Sequence, residues 1–416
     1  AAHRALLRAE GLSEKCRACP EVEVCGGGSV PHRYSTGGFN NPTVYCEEML
    51  ALIGHARARM SEALREEAAH AAEAESAGPR THQVDLASWE RPETSAPALL
   101  ELLGGWVSDA LRDFNKVLGQ IERRHEALRP AVAGIREFPP EAIRRLAAEP
   151  GPHLWATVMS ESFRNVTVRS IDGAPIRPEP GHVVALLERL RGGGEPYPRV
   201  HRDDKWLRLP FGDRIVFESG DVAARGAGLV AEAFDIIDSW RPALMGEIQL
   251  LDTDVQFVRD PSAHPDKAVS FSDNSTFGAL YVAVAVSGGM IDPYLLADSI
   301  IHEHRHQKLY LLQREVKLFH ADEPLVRSPW REDPRPPSGL LHAVFVFVHL
   351  HEYWEHLAAD GPDEEVRGRA RGELEMIRER IEEALPTLRG TPLTERGAEL
   401  FDLLEGVFRG SVITAK

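Results

Sequence analysis

The sequence predicts an α+β fold, mostly helical, in which a helix bearing His-Glu-x-x-His lies beside a small β-sheet, preceded by a small cysteine-rich module. Three observations lead there. Apolar residues recur at helical spacing over most of the chain. Two stretches, Glu247–Val258 and Gly278–Val286, concentrate the Val, Leu, Ile, Phe and Tyr typical of strands. All four cysteines fall before residue 47. The order is helices, a few strands, then helices, with no internal repeat.

Residues 1–65 read as the cysteine module, with a helical tail from about Glu47 to Ala72. An Ala/Glu stretch closed by Gly78-Pro79 makes 66–85 a linker, and 86–416 the main domain. Pro97–Arg129 is mostly helical, with Gly104-Gly105 as a break. Pro139–Ala148 is a short helix with Pro in its first turn. His182–Arg191 is another, stopped by Gly192-Gly193-Gly194. Gly228–Trp240 places Val230, Ala233, Phe234 and Ile237 on one face. The two strand stretches follow. Asp292 then caps a helix with Pro293 at its first position, running to about Leu318. A Pro-rich loop, Pro324–Pro337, leads to an apolar helix, Leu340–Leu357. Two charged amphipathic helices, about 363–385 and 395–408, finish the chain.

Bulk properties narrow the function. At 43% hydrophobic and 27% charged, the 416 residues resemble a soluble globular protein. A net charge of −16 and the lack of a basic patch argue against nucleic acid and weakly favour a basic or polar peptide. No apolar run approaches the roughly 18 residues that span a bilayer. No secretory signal opens the chain, and no cysteine follows Cys46, so a disulfide-stapled secreted protein is not expected; a cytoplasmic one is. The start at Ala1 reads as a fragment of a longer chain.

The most informative run is His302-Glu303-His304-Arg305-His306. On a helix, positions i and i+4 share a face, so His302 and His306 can hold one metal ion, with Glu303 beside it to act on water or substrate. Two imidazoles without a task would cost desolvation on a helix made apolar by Leu295, Leu296, Ile300 and Ile301. His342 is the chosen third ligand, because it stands among Leu340, Leu341, Val344 and Phe345. Glu352 and His349 are its rivals. His349 and His356 fall among polar groups and could simply be exposed.

Ser270, Ser272 and Asn274 lead into the strand Gly278–Val286, taken here as an edge strand able to pair with an extended peptide, and are candidate substrate contacts. The alternative is an ordinary polar turn. In the loop Ser328–Gly339, Arg331 or Arg335 could hold an anionic cosubstrate, or pair with Glu332 or Asp333. Cys16, Cys19, Cys25 and Cys46 could hold a 4Fe–4S cluster or a structural zinc.

The motifs together resemble a known arrangement. Cys16, Cys19-Pro20, Cys25-Gly26-Gly27-Gly28, Pro31-His32-Arg33-Tyr34, Gly38-Phe39-Asn40-Asn41-Pro42 and Tyr45-Cys46 are similar to the end of the SPASM domain of radical SAM peptide maturases of the cyclophane-forming type. Ser29 stands where that pattern has a further cysteine, and the radical SAM barrel is not in this chain. His302–His306, Gly278-Ala279-Leu280-Tyr281 and Ser328-Pro329-Trp330 through Arg335-Pro336 to His342 resemble 2-oxoglutarate-dependent HExxH-type peptide β-hydroxylases, which are sometimes fused to such maturases.

The resemblance implies an auxiliary 4Fe–4S cluster on the four cysteines, iron(II) on His302, His306 and His342, and 2-oxoglutarate with its distal carboxylate on Arg335. It further implies hydroxylation at Cβ of a precursor-peptide residue in ribosomal natural-product maturation, with the radical SAM barrel as partner. Two rivals follow from the residues alone: a zinc peptidase with Glu303 as general base, and a non-catalytic peptide-binding scaffold with a structural metal.

Overall fold

The computed structural model describes residues 12–25, 29–35, 38–53, 84–193 and 198–414. The chain forms two compact units, Ala1–Gln83 and Val84–Lys416, divided inside the expected linker.

In the first unit, Glu14–Arg17 and Val22–Cys25 are single helical turns, and Val30–Arg33 is a 3-10 turn. Ser13 caps the first, its Oγ accepting from the Cys16 amide at 3.2 Å. The Asn41 side-chain amide donates to the carbonyls of Arg33 and Gly38, at 3.1 and 2.9 Å, and so closes the turn between them. Residues 46–53 begin the expected tail helix. Its remainder and the Ala/Glu stretch lie outside the described residues.

The second unit is mostly helical with small sheets. Besides the short helix Leu86–Glu90, its helices are α1 (Ala96–Arg124), α2 (Arg129–Arg136), α3 (Pro140–Ala148), α4 (Pro150–Phe163), α5 (His182–Arg191), α6 (Gly220–Trp240), α7 (Pro242–Leu251), α8 (Pro293–Gln313), α9 (Pro337–Asp360), α10 (Glu364–Arg389) and α11 (Glu395–Thr414). Gly104-Gly105 does not break α1. Buried Leu99, Leu102 and Trp106 on the same helix hold it against the core, and that packing outweighs the roughly 1 kcal/mol each glycine costs. The helix α4 was not expected, because Pro150-Gly151-Pro152 looks like a loop; both prolines fall in its first turn, where no amide is needed.

The main sheet has strand order β1-β3-β5-β4, from β1 (Arg199–Val200), β3 (Asp254–Arg259), β4 (Ser270–Ser272) and β5 (Ala279–Val282). β2 (Val216–Phe217) also pairs with β3. β1, β3 and β5 are parallel, and β4 runs antiparallel to β5, Phe271 opposite Tyr281. The expected strand Glu247–Val258 is therefore corrected: its first half is helix α7, which buries Leu244, Ile248 and Leu251 at helical spacing. β3 buries both faces, so its residues show no alternation to separate it from the apolar helix before it. A second correction concerns the edge. β5 is interior, and β4 is the edge strand. Gly278, at φ +89°, makes the turn into β5, and its carbonyl accepts from Thr253 and Asp254 amides. A Cβ there would also crowd the Leu251 carbonyl.

α8 starts as expected, Asp292 accepting from the Tyr294 amide at 2.8 Å, but ends at Gln313. It packs on β4 and β5, on α6 and on α9. A two-stranded ribbon, β6 (Ala285–Val286) with β7 (Gly289–Met290), precedes α8. The Pro-rich loop contains a hairpin, β8 (Val326–Ser328) with β9 (Arg331–Arg335), where Pro334 sits on a strand with no second neighbour.

Candidate metal centre

His302, His306 and Tyr310 follow one stripe of α8 at four-residue spacing. The rings of His302 and His306 stand 5.0 Å apart between centroids. His342, on α9, stacks on His306 at 5.3 Å, with their Nδ1 atoms 3.0 Å apart. His342 Nε2 donates to Gln313 Oε1 at 2.8 Å, which makes its Nδ1 the acceptor and leaves His306 Nδ1 as donor. His306 Nε2 then carries an unshared lone pair. Burial holds the pKa of His302 and His342 down at about 4, and burial plus the neighbouring rings holds that of His306 well below its ordinary value. All three imidazoles are neutral at pH 7, the form that ligates metal. Protein surrounds His302 and His306 closely, yet each stays partly exposed.

Glu303 lies one step round the helix and is buried, 2% exposed. Burial pushes its pKa up to about 7, against the pull of the Ser270 and Ser272 hydroxyls on β4. Asp252 and Asp298 push it the same way as burial. Ser272 Oγ has no well-formed hydrogen bond, so its influence on Glu303 is one of proximity. Ser270 and Ser272 thus sit beside the site, turned to Glu303. Asn274 is exposed, in the 3-10 turn Asn274–Thr276.

The hairpin covers one side. Trp330 stacks on Phe347 at 4.8 Å, and Phe347 meets His302 edge-on at 5.4 Å. The Arg331 charge reaches His302 and helps keep it neutral. Among the described residues, neither Arg331 nor Arg335 forms an ion pair, so the expected alternative of a bridge to Glu332 or Asp333 is not realised.

The rivals for third ligand belong elsewhere. His349 is buried, not exposed: its Nε2 is 2.7 Å from Glu90 Oε1 and its Nδ1 3.2 Å from Glu352 Oε2. Glu352 also accepts from Arg241 at 3.0 Å. His356 stacks on Trp240 and lies 3.3 Å from Asp360. A buried network of Glu90, Glu247, Asp252, His304, Arg305 and Lys308, on the far side of α8, was not foreseen. Its signal was present: Glu247 and Asp252 interrupt apolar α7, and α8 has charge on every face near 302–308.

Among the described residues, no three His, Cys, Asp or Glu side chains stand ready-made around one point. His306 and His342 face each other through a hydrogen bond, so joint ligation needs a ring rotation. The four cysteines are free thiols, Cys16 buried and the others half-buried. A cavity of about 180 Å³, walled by Trp106, Leu251 and Phe277 among others, holds none of the histidines. No described helix is long and apolar enough to cross a membrane. No family model matches the chain, and no curated protein matches it.

Proposed function

We propose that residues 84–416 are an Fe(II)- and 2-oxoglutarate-dependent oxygenase that hydroxylates Cβ of a residue in a ribosomally made precursor peptide. The observation that carries this reading is the contact of His342 with His306 on the face shared with His302. The donor set suits a metal: three neutral imidazoles, one of them with a nitrogen that neither holds a proton nor shares its lone pair. Bound iron with 2-oxoglutarate would supply oxidation of a C–H bond by O2, releasing succinate and CO2. Gln313 holds the His342 tautomer. Phe347, backed by Trp330, packs edge-on against His302 and would shield that side of a bound ion from water. Arg331 and Arg335, free of protein carboxylates, are suited to the distal carboxylate of the keto acid.

An extended peptide has a place to lie. The Ala283 amide donates to the Val269 carbonyl, which sets the paired rungs at Val269 and Phe271. The main-chain groups of Ser270 and Ser272 then face the outer edge of β4, which no described strand occupies. In the first unit, Cys16, Cys19, Cys25 and Cys46 would hold a 4Fe–4S cluster or zinc, and a cytoplasmic setting suits both metals.

One observation favours a second reading, a zinc peptidase. Glu303, with a pKa near 7, has the proton affinity of a general base. Co-expression with the precursor separates the two. A mass gain of one oxygen, lost in His306→Ala, supports hydroxylation. Cleavage of the precursor at unchanged residue masses supports the peptidase, and neither change leaves a binding scaffold.

A further inference from the structure

α8 has two polar faces, and the second is closed to solvent. His304, Arg305 and Lys308 on it have no exposed surface. His304 Nδ1 lies 2.6 Å from Asp252 Oδ2 and its Nε2 lies 3.3 Å from Glu247 Oε2. Lys308 Nζ donates to Glu247 Oε1 at 2.7 Å, Arg305 lies 3.6 Å from Oε2, and the Ser95 hydroxyl donates to the same carboxylate. Glu247 is on α7 and Asp252 is its C-cap residue, so the network ties α8 to the α7–β3 corner.

Burying this much charge is an expensive way to fill space. Apolar side chains of similar volume at 304 and 308 would pack at lower cost. What charges add is direction. Residues 304, 305 and 308 meet Glu247 and Asp252 together at one rotation of α8, and at that rotation His306 meets His342 with His302 beside it. A ligand set tolerates misplacement of only about 0.5 Å.

We propose that His304, bridging Asp252 and Glu247, is a positioning residue that fixes the rotation of α8 and so aims His302 and His306 at a shared ion. The inference rests on the metal-centre reading above. It assigns work to a residue at one of the two x positions of His-Glu-x-x-His, where the motif itself asks for nothing.

The test uses the whole chain and two variants. His304→Leu with Asp252→Leu removes both partners, which avoids leaving a buried charge alone. Glu247→Gln keeps the shape and weakens the hub. The first readout needs no metal: imidazole nitrogen and proton NMR signals of His302, His306 and His342. Positioning predicts that these shift in the double variant and shift less in Glu247→Gln, while His182, remote from α8, stays put. The second is Co(II) titration, with a 10- to 100-fold loss of affinity and a changed visible band expected. Unmoved signals and wild-type affinity in a folded double variant overturn the proposal. If that variant does not fold, unmoved signals in Glu247→Gln overturn it equally. Wild-type protein that takes up no Co(II) overturns the metal reading instead, and the metal-free spectra still decide the role of His304.

Discussion

His306 and His342 meet at 3.0 Å between Nδ1 atoms although 36 positions separate them in sequence. Two helices bring them together: α8 supplies an i, i+4 pair and α9 supplies the third ring near its start. Gln313, on the last turn of α8, reaches across to the far nitrogen of His342 and fixes which nitrogen is bare. The pairing joins helix to helix through groups that are useful only when neutral.

Loss of either ring is expected to remove metal binding. His306→Ala or His342→Ala should weaken Co(II) or Fe(II) binding about 100-fold or more, whereas Gln313→Leu should cost about 10-fold by freeing the tautomer. Calorimetric titration measures all three. Wild-type affinity in both alanine variants would remove the centre from consideration.

Acid should destabilise the protein between pH 6.5 and 4. The folded pKa of His153, His182, His302, His342 and His351 is held at about 4, below the ordinary 6.5. In that window the unfolded chain binds more protons than the folded one, so stability falls as pH falls. Glu303 acts in the opposite sense. Its folded pKa of about 7 exceeds the ordinary 4.5, so between about pH 4.5 and 7 the folded state holds the extra proton and stability drops as pH rises across that window. Melting temperature should therefore rise between pH 4 and 6.5, and Glu303→Gln should steepen that rise, its advantage over wild type growing from pH 4.5 to 7 and holding above 7. An identical pH dependence of melting temperature in wild type and Glu303→Gln between pH 4.5 and 7 would contradict this.

The helices around the site were legible where a local signal exists. Asp292-Pro293 marks the start of α8, and Gly192-Gly193 the end of α5. His342 was singled out by its apolar neighbours in sequence, and it is buried. What failed depended on partners remote in sequence. The division of Glu247–Val258 into α7 and β3 follows from β3 being covered on both faces, which erases the alternation that would have shown it. β5 looked like an edge because the short β4 that covers it, Ser270–Ser272, resembles a turn. His349 looked exposed because Glu90 and Arg305, which bury it, lie 259 and 44 positions away.

The hairpin arginines should report on the keto acid. Neither forms an ion pair among the described residues, so Arg335→Ala and Arg331→Ala should leave the melting temperature within about 2 °C. Under the oxygenase reading, KM for 2-oxoglutarate should rise about 10- to 100-fold in at least one of them, with kcat less affected, since a lost charge-assisted pair costs roughly 1.5–3 kcal/mol. Steady-state succinate release measures it. An unchanged KM in both variants would take the cosubstrate away from β9.

Glu303→Gln separates the two chemistries at one atom. The amide fills the same space and can still meet Ser270 and Ser272, so the fold should hold, and at pH 8 it should melt at a higher temperature than wild type because the buried carboxylate at 303 is no longer there to ionise. As a general base in a peptidase, Glu303 must take a proton, and Gln cannot; cleavage should fall by about 100- to 10,000-fold. In the oxygenase, Glu303 orients water or substrate beside the three imidazoles, and hydroxylation should fall by no more than about 10-fold. Both rates come from the mass of the same precursor peptide. Precursor cleaved by the wild type and left intact by Glu303→Gln would identify a peptidase and retire the oxygenase.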